Sequence, residues 1–514
     1  MQKLFKSALL ITIFAFLGLL LSFITQVVVA SLFGAGASMD AFLASNAIPQ
    51  YIIMVIIGSL GLIFVPVFVD YTATGREEEA WQIASSVINL CLLTLGALTV
   101  LGMAMPGAIL RLTAPGLPDL THNVAVRVAL ITWPGLLATS IISLLTGIYQ
   151  SKSRFGWPAA AAVIVAMLNL GLVVILTKVW GIIGLAIATT VGLFFQVSLL
   201  LPIALRRGCY RFIINWRHPA VLQVLSLLTP LVIANMIAKS TPLLDRFLAS
   251  SMPEGSISHL GYAFRLLTIA STLIATGITT VVFTRMAVNA AKENLSELRN
   301  TISLSLRFMW LAVAPIIALG VALALPFVSA IFQRGKFEAA DTDAVSALLK
   351  IYLLSLAGGC MGNITGRTFY VLKDTRTLAV IGSIESIAYV IYTVFLARFY
   401  GAVGVALGYV LFFNISLLWQ IFVIRYKTGK VGGRTVFNSF IRIGVAALLG
   451  GLAAWCATIL TANVWAQLIC GVLTGFVAYV AALNVLGVNE FKVLWHMIAS
   501  HFGLNKHIPA NICI

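Results

Sequence analysis

Charge is scarce in this chain. Asp, Glu, Lys and Arg make up 10% of its 514 residues, and only 16 are acidic. A soluble globular chain carries about 25% charged residues, so an ordinary water-soluble fold is excluded. Cysteine is scarce too. The six (Cys91, Cys209, Cys360, Cys456, Cys470, Cys513) show no paired spacing, which excludes a disulfide framework and a cysteine metal site. The six histidines are scattered. There is no phosphate-binding glycine loop, no GxSxG elbow and no His/Asp/Glu cluster at metal spacing. Long polar loops able to house a catalytic domain are also missing. The absences together point away from an enzyme, and no cofactor is expected.

What the chain does have is hydrocarbon. It is 61% hydrophobic, with a mean hydropathy of +1.04. Apolar stretches of about 20 residues, each able to cross about 30 Å as a helix, recur from end to end. The spans read as roughly 8–32, 40–69, 82–110, 123–150, 158–178, 182–205, 220–248, 258–284, 303–331, 343–371, 377–397, 400–424, 438–460 and 465–487. The fold class is all-α integral membrane with about 14 transmembrane helices. The runs are continuously apolar rather than alternating, which excludes a barrel.

The formal charge of +17 is topological. With the N-terminus in the cytoplasm, 23 lysines and arginines lie at the inner side against 6 at the outer. The positive-inside rule therefore puts both termini in the cytoplasm. Anionic membrane lipids are the expected partners of this charge, and nucleic acid is not.

Two halves of the chain are related. At an offset of 219, Ala30-Ser31, Gly36 and Ala44 match Ala249-Ser250, Gly255 and Ala263. At 220, Gly181, Gly184 and Ala186 match Gly401, Gly404 and Ala406. A unit of six helices is even, so the repeat is parallel, as in many secondary transporters. The division expected is an N-lobe of six helices over residues 1–217, a C-lobe of six over 218–428, and two extra helices with a cytoplasmic tail over 429–514.

Charges at membrane depth mark function by default. Lys239, Asp245 and Arg246 fall in helix seven, Arg265 in helix eight, Lys350 in helix ten and Glu385 in helix eleven. Cations prevail, which suits an anion such as a pyrophosphate. Asp40, ahead of an apolar run, reads either as a helix cap or as a gate residue. Glu385 reads as a partner for Arg367 or Lys373, and His259 as an interfacial residue.

FGAGASMDAFLAS (33–45), Phe64-Val65-Pro66, TAPG (113–116), FLASSMPEGSISHLGYAFRL (247–266), FQRGKF (332–337) and FYVLKDTRT (369–377) resemble the MviN/MurJ family of lipid-linked glycan flippases. That family belongs to the multidrug/oligosaccharidyl-lipid/polysaccharide exporter superfamily. The resemblance implies two lobes around a cationic cavity and a groove at helices 13–14 for a lipid tail. It implies residence in the bacterial plasma (inner) membrane. Asp40 matches a functionally important aspartate, and Arg265 a cavity arginine. The family's lipid II flippases also carry arginines where this chain has Leu19, Thr25 and Ile53, and a glutamate near Ile57. Asn46 is the repeat partner of Arg265.

The resulting expectation is an alternating-access flippase for an undecaprenyl-pyrophosphate-linked saccharide. The missing arginines favour an exopolysaccharide or capsule repeat unit, with glycan-polymerase machinery as a neighbour. Lipid II is the alternative; a cation or drug exchanger, a membrane polymerase or ligase, and a non-transporting scaffold are further ones. Arg265, Lys239, Arg246, Lys350 and Asn46 would line the pyrophosphate cavity. Asp40 would gate it, with Gly34, Gly36 and Gly255 letting the gate loops bend.

Overall fold

A computed structural model describes residues 2–152, 154–205, 210–291, 295–430 and 432–501. Among these, every regular element is helical. Cys209 and Cys513 lie outside the described residues; Cys91, Cys360, Cys456 and Cys470 are unpaired. Eleven stretches of the described residues are long and apolar enough to cross a membrane. The chain packs as two compact units, residues 1–258 with 334–338, and residues 259–333 with 339–514.

The first unit opens with α1 (Gln2–Phe33), which packs along α9 (Gly156–Leu200). The expected second span is broken. It runs as α2 (Ala37–Ser45), α3 (Ala47–Ile52), a π-helical turn Ile53–Ile57 and α4 (Gly58–Ala73). Asn46 interrupts it, and its amide donates to Phe42 O at 2.8 Å. Pro66 lies inside α4. Next come α5 (Glu77–Ala104), α6 (Pro106–Thr113), α7 (Asp119–Thr132) and α8 (Gly135–Ser151). After α9 the span expected at 220–248 is again two helices, α10 (Pro219–Ala238) and α11 (Thr241–Ser250), parted at Lys239-Ser240. Such breaks survive in a membrane only where side chains or neighbouring helices satisfy the freed backbone groups.

The second unit takes in most of α12 (Ser256–Ala291), α13 (Leu295–Ala322), α14 (Ala324–Phe332), α15 (Ala339–Leu353) and α16 (Ser355–Val371). It continues through α17 (Thr375–Thr428), α18 (Gly433–Ile459), α19 (Val464–Val485) and α20 (Asn489–His501). At the start of α20, the buried Glu490 accepts from Arg307 at 2.5 Å and Ser439 at 2.8 Å, tying α13, α18 and α20 together.

The repeat is visible in the element bounds. Helices α5 and α13 are each 28 residues long, and α8 and α16 are each 17. Both α9 and α17 fold back on themselves at one glycine, Gly181 (φ 56°, ψ −132°) and Gly401 (φ 56°, ψ −135°). Only glycine adopts that conformation readily. This is why each long helix covers two expected spans with no loop between them. Three residues on, a Cβ at Gly184 would lie 2.2 Å from Leu176 O, and one at Gly404 2.1 Å from Leu396 O. The two limbs of each hairpin therefore touch backbone to backbone.

A Gly404→Ala protein should lose about 1–3 kcal/mol through this clash, read as a lower melting temperature in detergent. Gly171→Ala, whose added Cβ meets nothing within 4 Å, should melt like the parent. Equal melting of the two variants would contradict the close contact.

Candidate functional site

Two acidic side chains cap each other's helices at the end of α1 remote from the chain's start. Asp40, in the first turn of α2, is 4% exposed. It does cap a helix, but not its own. Its Oδ2 accepts from Gly255 N at 2.7 Å, and its Oδ1 from Ser258 N at 2.8 Å and Ser258 Oγ at 2.5 Å. These are the otherwise orphaned donors at the start of α12. In return, Glu254 Oε1 accepts from Ala37 N at 2.9 Å, at the start of α2. The α2 N-cap, Gly36, has no side chain to do this, and a Cβ there would stand 3.5 Å from Glu254 Oε1. Both carboxylates also sit where a helix macrodipole favours negative charge.

The quoted motifs converge on this corner. Gly34 and Gly255 have φ of 63° and 88°, so both loops turn through the left-handed region. Gly335 of FQRGKF (φ 62°) lies so close that a Cβ would be 2.2 Å from Ser31 O, which accepts from Lys336 N at 2.9 Å. Gly116 of TAPG donates to Ser250 Oγ at 3.2 Å. The four expected gate residues, Asp40, Gly34, Gly36 and Gly255, are thus neighbours. Sequence reasoning missed Glu254 and Ser258, whose partners lie more than 200 residues away in the chain.

Lys239 and Arg246 come together as well. They line a cavity of about 20 Å³ with Gln50, Tyr51 and Met54, room for one water. Arg246 Nη2 donates to Gln50 Oε1 at 3.3 Å, and Tyr51 OH to Met236 O at 2.6 Å. The breaks at Asn46 and at Lys239 therefore flank a small cationic pocket. The Lys239 charge also sits at the C-terminus of α10, where the macrodipole favours it.

Other expected members lie elsewhere. Asn46 spends its amide on its own helix. Arg265 is an exposed residue of α12 in the second unit. Lys350 lines an apolar cavity of about 750 Å³, chiefly between α13 and α18, with Trp310, Trp455 and Gln467; it does not join the Lys239–Arg246 pocket. His259 meets Asp341 at 2.9 Å. Glu385 has neither of its expected partners, Arg367 or Lys373, among the described residues. Two of the positions at which the resemblance implies charge are apolar and packed, while Thr25 donates to Leu21 O at 2.9 Å. Ile57 is buried against Leu95 and Leu136, with Ile53 beside them.

Residues 29–475 match the family model of the lipid II flippase MurJ. The "Probable lipid II flippase MurJ" of Vibrio cholerae is 25% identical over 514 residues, spanning 95% of this chain and 97% of its own. The "Lipid II flippase MurJ" of Burkholderia cenocepacia is 23% identical over 509 residues, spanning 96% and 98%. A solved lipid II flippase MurJ in an inward closed conformation superposes with a TM-score of 0.81. It is 24% identical and covers 93% of this chain and 98% of that one. An inward-facing multidrug transporter of the MATE family gives a TM-score of 0.68 at 16% identity, covering 81% and 96%. The structural likenesses establish the fold.

Replacing Asp40 by Ala should cost about 1–3 kcal/mol for each N–H left without an acceptor. Glu254→Ala, at a more exposed cap, should cost about 1 kcal/mol. Hydrogen exchange of the amides at 255–258 should quicken in the Asp40 variant, and that of Ala37 in the Glu254 variant. Unchanged exchange at both places would refute reciprocal capping.

Proposed function

The chain belongs to the MurJ family, and from that premise we propose that the lipid-linked substrate it flips is lipid II. It is a multi-pass protein of the bacterial inner membrane and a transporter rather than an enzyme. The observation that carries lipid II is the end-to-end match to relatives bearing that name, over residues 29–475 for the family model. This displaces the exopolysaccharide unit from first place. One observation keeps that unit as a second reading: Ile53 and Ile57 are packed among leucines where lipid II flippases carry charge.

In this reading the N-lobe of residues 1–217 rocks against the C-lobe of 218–428, with both termini in the cytoplasm. The pyrophosphate is held by Arg246 and Lys239, and Arg265, in the second unit, is a further substrate-binding residue. A pocket of about 20 Å³ is too small for a pyrophosphate, so the breaks at Asn46 and Lys239 must part as substrate enters. The apolar cavity at α13 and α18 takes the prenyl tail, with Lys350 on its wall. The crossed caps of Asp40 and Glu254, with Gly34, Gly36 and Gly255, form the outer gate and open to release the head group. Neighbouring glycan-polymerase machinery then receives the flipped lipid.

The test is complementation. Expressed in a bacterium depleted of its own lipid II flippase, this chain should restore growth and outer-leaflet lipid II. Arg246→Ala and Arg265→Ala, still present in the membrane, should lower that signal at least tenfold, about 1.4 kcal/mol per decade. No rescue, together with rescue of a strain lacking an exopolysaccharide flippase, would move the assignment to the second reading.

A further inference from the structure

Between the expected spans 182–205 and 220–248, residues 210–215 have no regular structure, yet their backbone is held. Arg211 N donates to Ser85 Oγ and Asn215 N to Ser86 Oγ, each at 3.1 Å. Asn89 Nδ2 donates to Ile213 O at 2.9 Å and to Arg211 O at 3.3 Å. Asn89 Oδ1 accepts from the Tyr210 hydroxyl at 2.5 Å. Arg211 pairs with Glu78 at 3.0 Å, and His218 with Glu79 at 3.2 Å. Ser85, Ser86 and Asn89 are 0%, 1% and 2% exposed. Polar side chains buried this deeply need partners, and these three find theirs in the passing backbone. The segment is a strap fixed to α5, not a slack tether between the two copies of the repeat.

All three anchors fall inside the expected span 82–110. Asn89 is about 18 Å along α5 from Glu77, at 1.5 Å per residue. The strap therefore lies at membrane depth, where irregular backbone survives only with its polar groups satisfied. It also takes the place of lipid on α5. Every residue from Ile83 to Asn89 is buried, under α4, α8, α10 and the strap. Farther along the same helix, Leu93, Val100 and Leu101 are exposed. The strap's other side is apolar. Ile213 N donates to Arg211 O at 2.9 Å, a three-residue turn with Phe212 at its apex. Phe212, Trp216, Ile214 and Ile213 are 83%, 57%, 40% and 37% exposed. The Arg217 guanidinium lies 5.0 Å from the centre of a Trp216 ring. Aromatic rings beside arginines are what segments lying in the lipid interface carry.

We propose that residues 210–217 form a re-entrant strap seated in the lipid leaflet nearer the start of α5. Its four apolar side chains lie against acyl chains, and Arg217 lies at the headgroups. The occupant of this face is phospholipid, because the face continues the exposed apolar surface of α5 that begins at Leu93. A loop in water would leave two aromatic side chains wet and would have no use for anchors inside a span. The connection between the two copies of the repeat is thereby held at a set depth in the bilayer. The proposal rests on the membrane-spanning fold and not on the substrate.

The test uses the purified full chain in liposomes of phosphatidylethanolamine and phosphatidylglycerol. A trace of phosphatidylcholine carries a diazirine near the glycerol end of one acyl chain. After illumination, peptide mass spectrometry should find lipid adducts at residues 212–216 at a level comparable with Leu93. Asn89→Ala removes the side chain that holds Tyr210, Arg211 and Ile213, and should cut the strap adducts severalfold while leaving those at Leu93 unchanged. A benzophenone side chain placed at residue 212 in living cells should cross-link to lipid. Adducts at Leu93 with none at 212–216 in the parent chain would overturn the proposal. So would strap adducts that ignore the loss of Asn89, or a cross-link from residue 212 to another protein. The parent measurement needs no variant, so a poorly folding Asn89→Ala chain leaves it decisive.

Discussion

A helix that starts away from bulk water leaves backbone N–H groups with nothing to bond. In this protein two such starts solve the problem for each other. Asp40 serves the donors of Gly255 and Ser258, and Glu254 serves the donor of Ala37. The surrounding motifs support this exchange. Gly34, Gly36 and Gly255 shape the loops, and Gly335 and Gly116 let the neighbouring loops close against Ser31 and Ser250. Gly34, Gly255 and Gly335 sit at positive φ, and a Cβ at Gly116 or Gly335 would collide with the backbone of Ser250 or Ser31, whereas Gly36 (φ −110°) has ordinary space beside Glu254. A contact made of charged acceptors on backbone donors is strong when dry and exchangeable with water when wet. That property suits a gate that must close tightly and still open.

The same economy of contact appears in the hairpins at Gly181 and Gly401, where near-identical backbone angles and near-identical approaches to Leu176 and Leu396 recur. Helix pairs held backbone to backbone leave the side chains on their faces free to diverge. They have diverged in opposite directions. The first copy is apolar at Leu145, Val165 and Leu200, and the second is polar at Thr365, Glu385 and Gln420. Near the Asn46 break the first copy is apolar too, at Ile53 and Ile57, whereas the second copy carries the cations Lys239, Arg246, Arg265 and Lys350. A shared scaffold thus supports a structural half and a half that holds most of the ionisable chemistry.

Much of this was legible from residues. The apolar spans, the repeat and the neighbourhood of Asp40, Gly34, Gly36 and Gly255 follow from composition, from offset matches and from motif resemblance. The helix breaks at Asn46 and Lys239 were not legible, because each falls inside an apolar run of span length, and the prolines that follow them, Pro49 in α3 and Pro242 at the start of α11, look no different from Pro66 and Pro315 inside the continuous helices α4 and α13. Glu254 was missed because its acceptor role depends on a donor at Ala37, which no local pattern connects to it. Lys350 was grouped with the pyrophosphate cations on charge alone, while packing puts it on the apolar cavity. Taken alone, the missing arginines favour an exopolysaccharide unit. The family match outweighs that reading, because a few substituted positions say less about cargo than similarity along nearly the whole chain.

The central claim is that the crossed caps must part in every transport cycle. Cysteines placed at Ala37 and Glu254 and joined by a short thiol cross-linker test it directly, with outer-leaflet lipid II read in cells that depend on this chain. The account predicts that cross-linking stops the appearance of lipid II outside and that cleaving the linker restores it. Undiminished transport with the two positions covalently joined would contradict it.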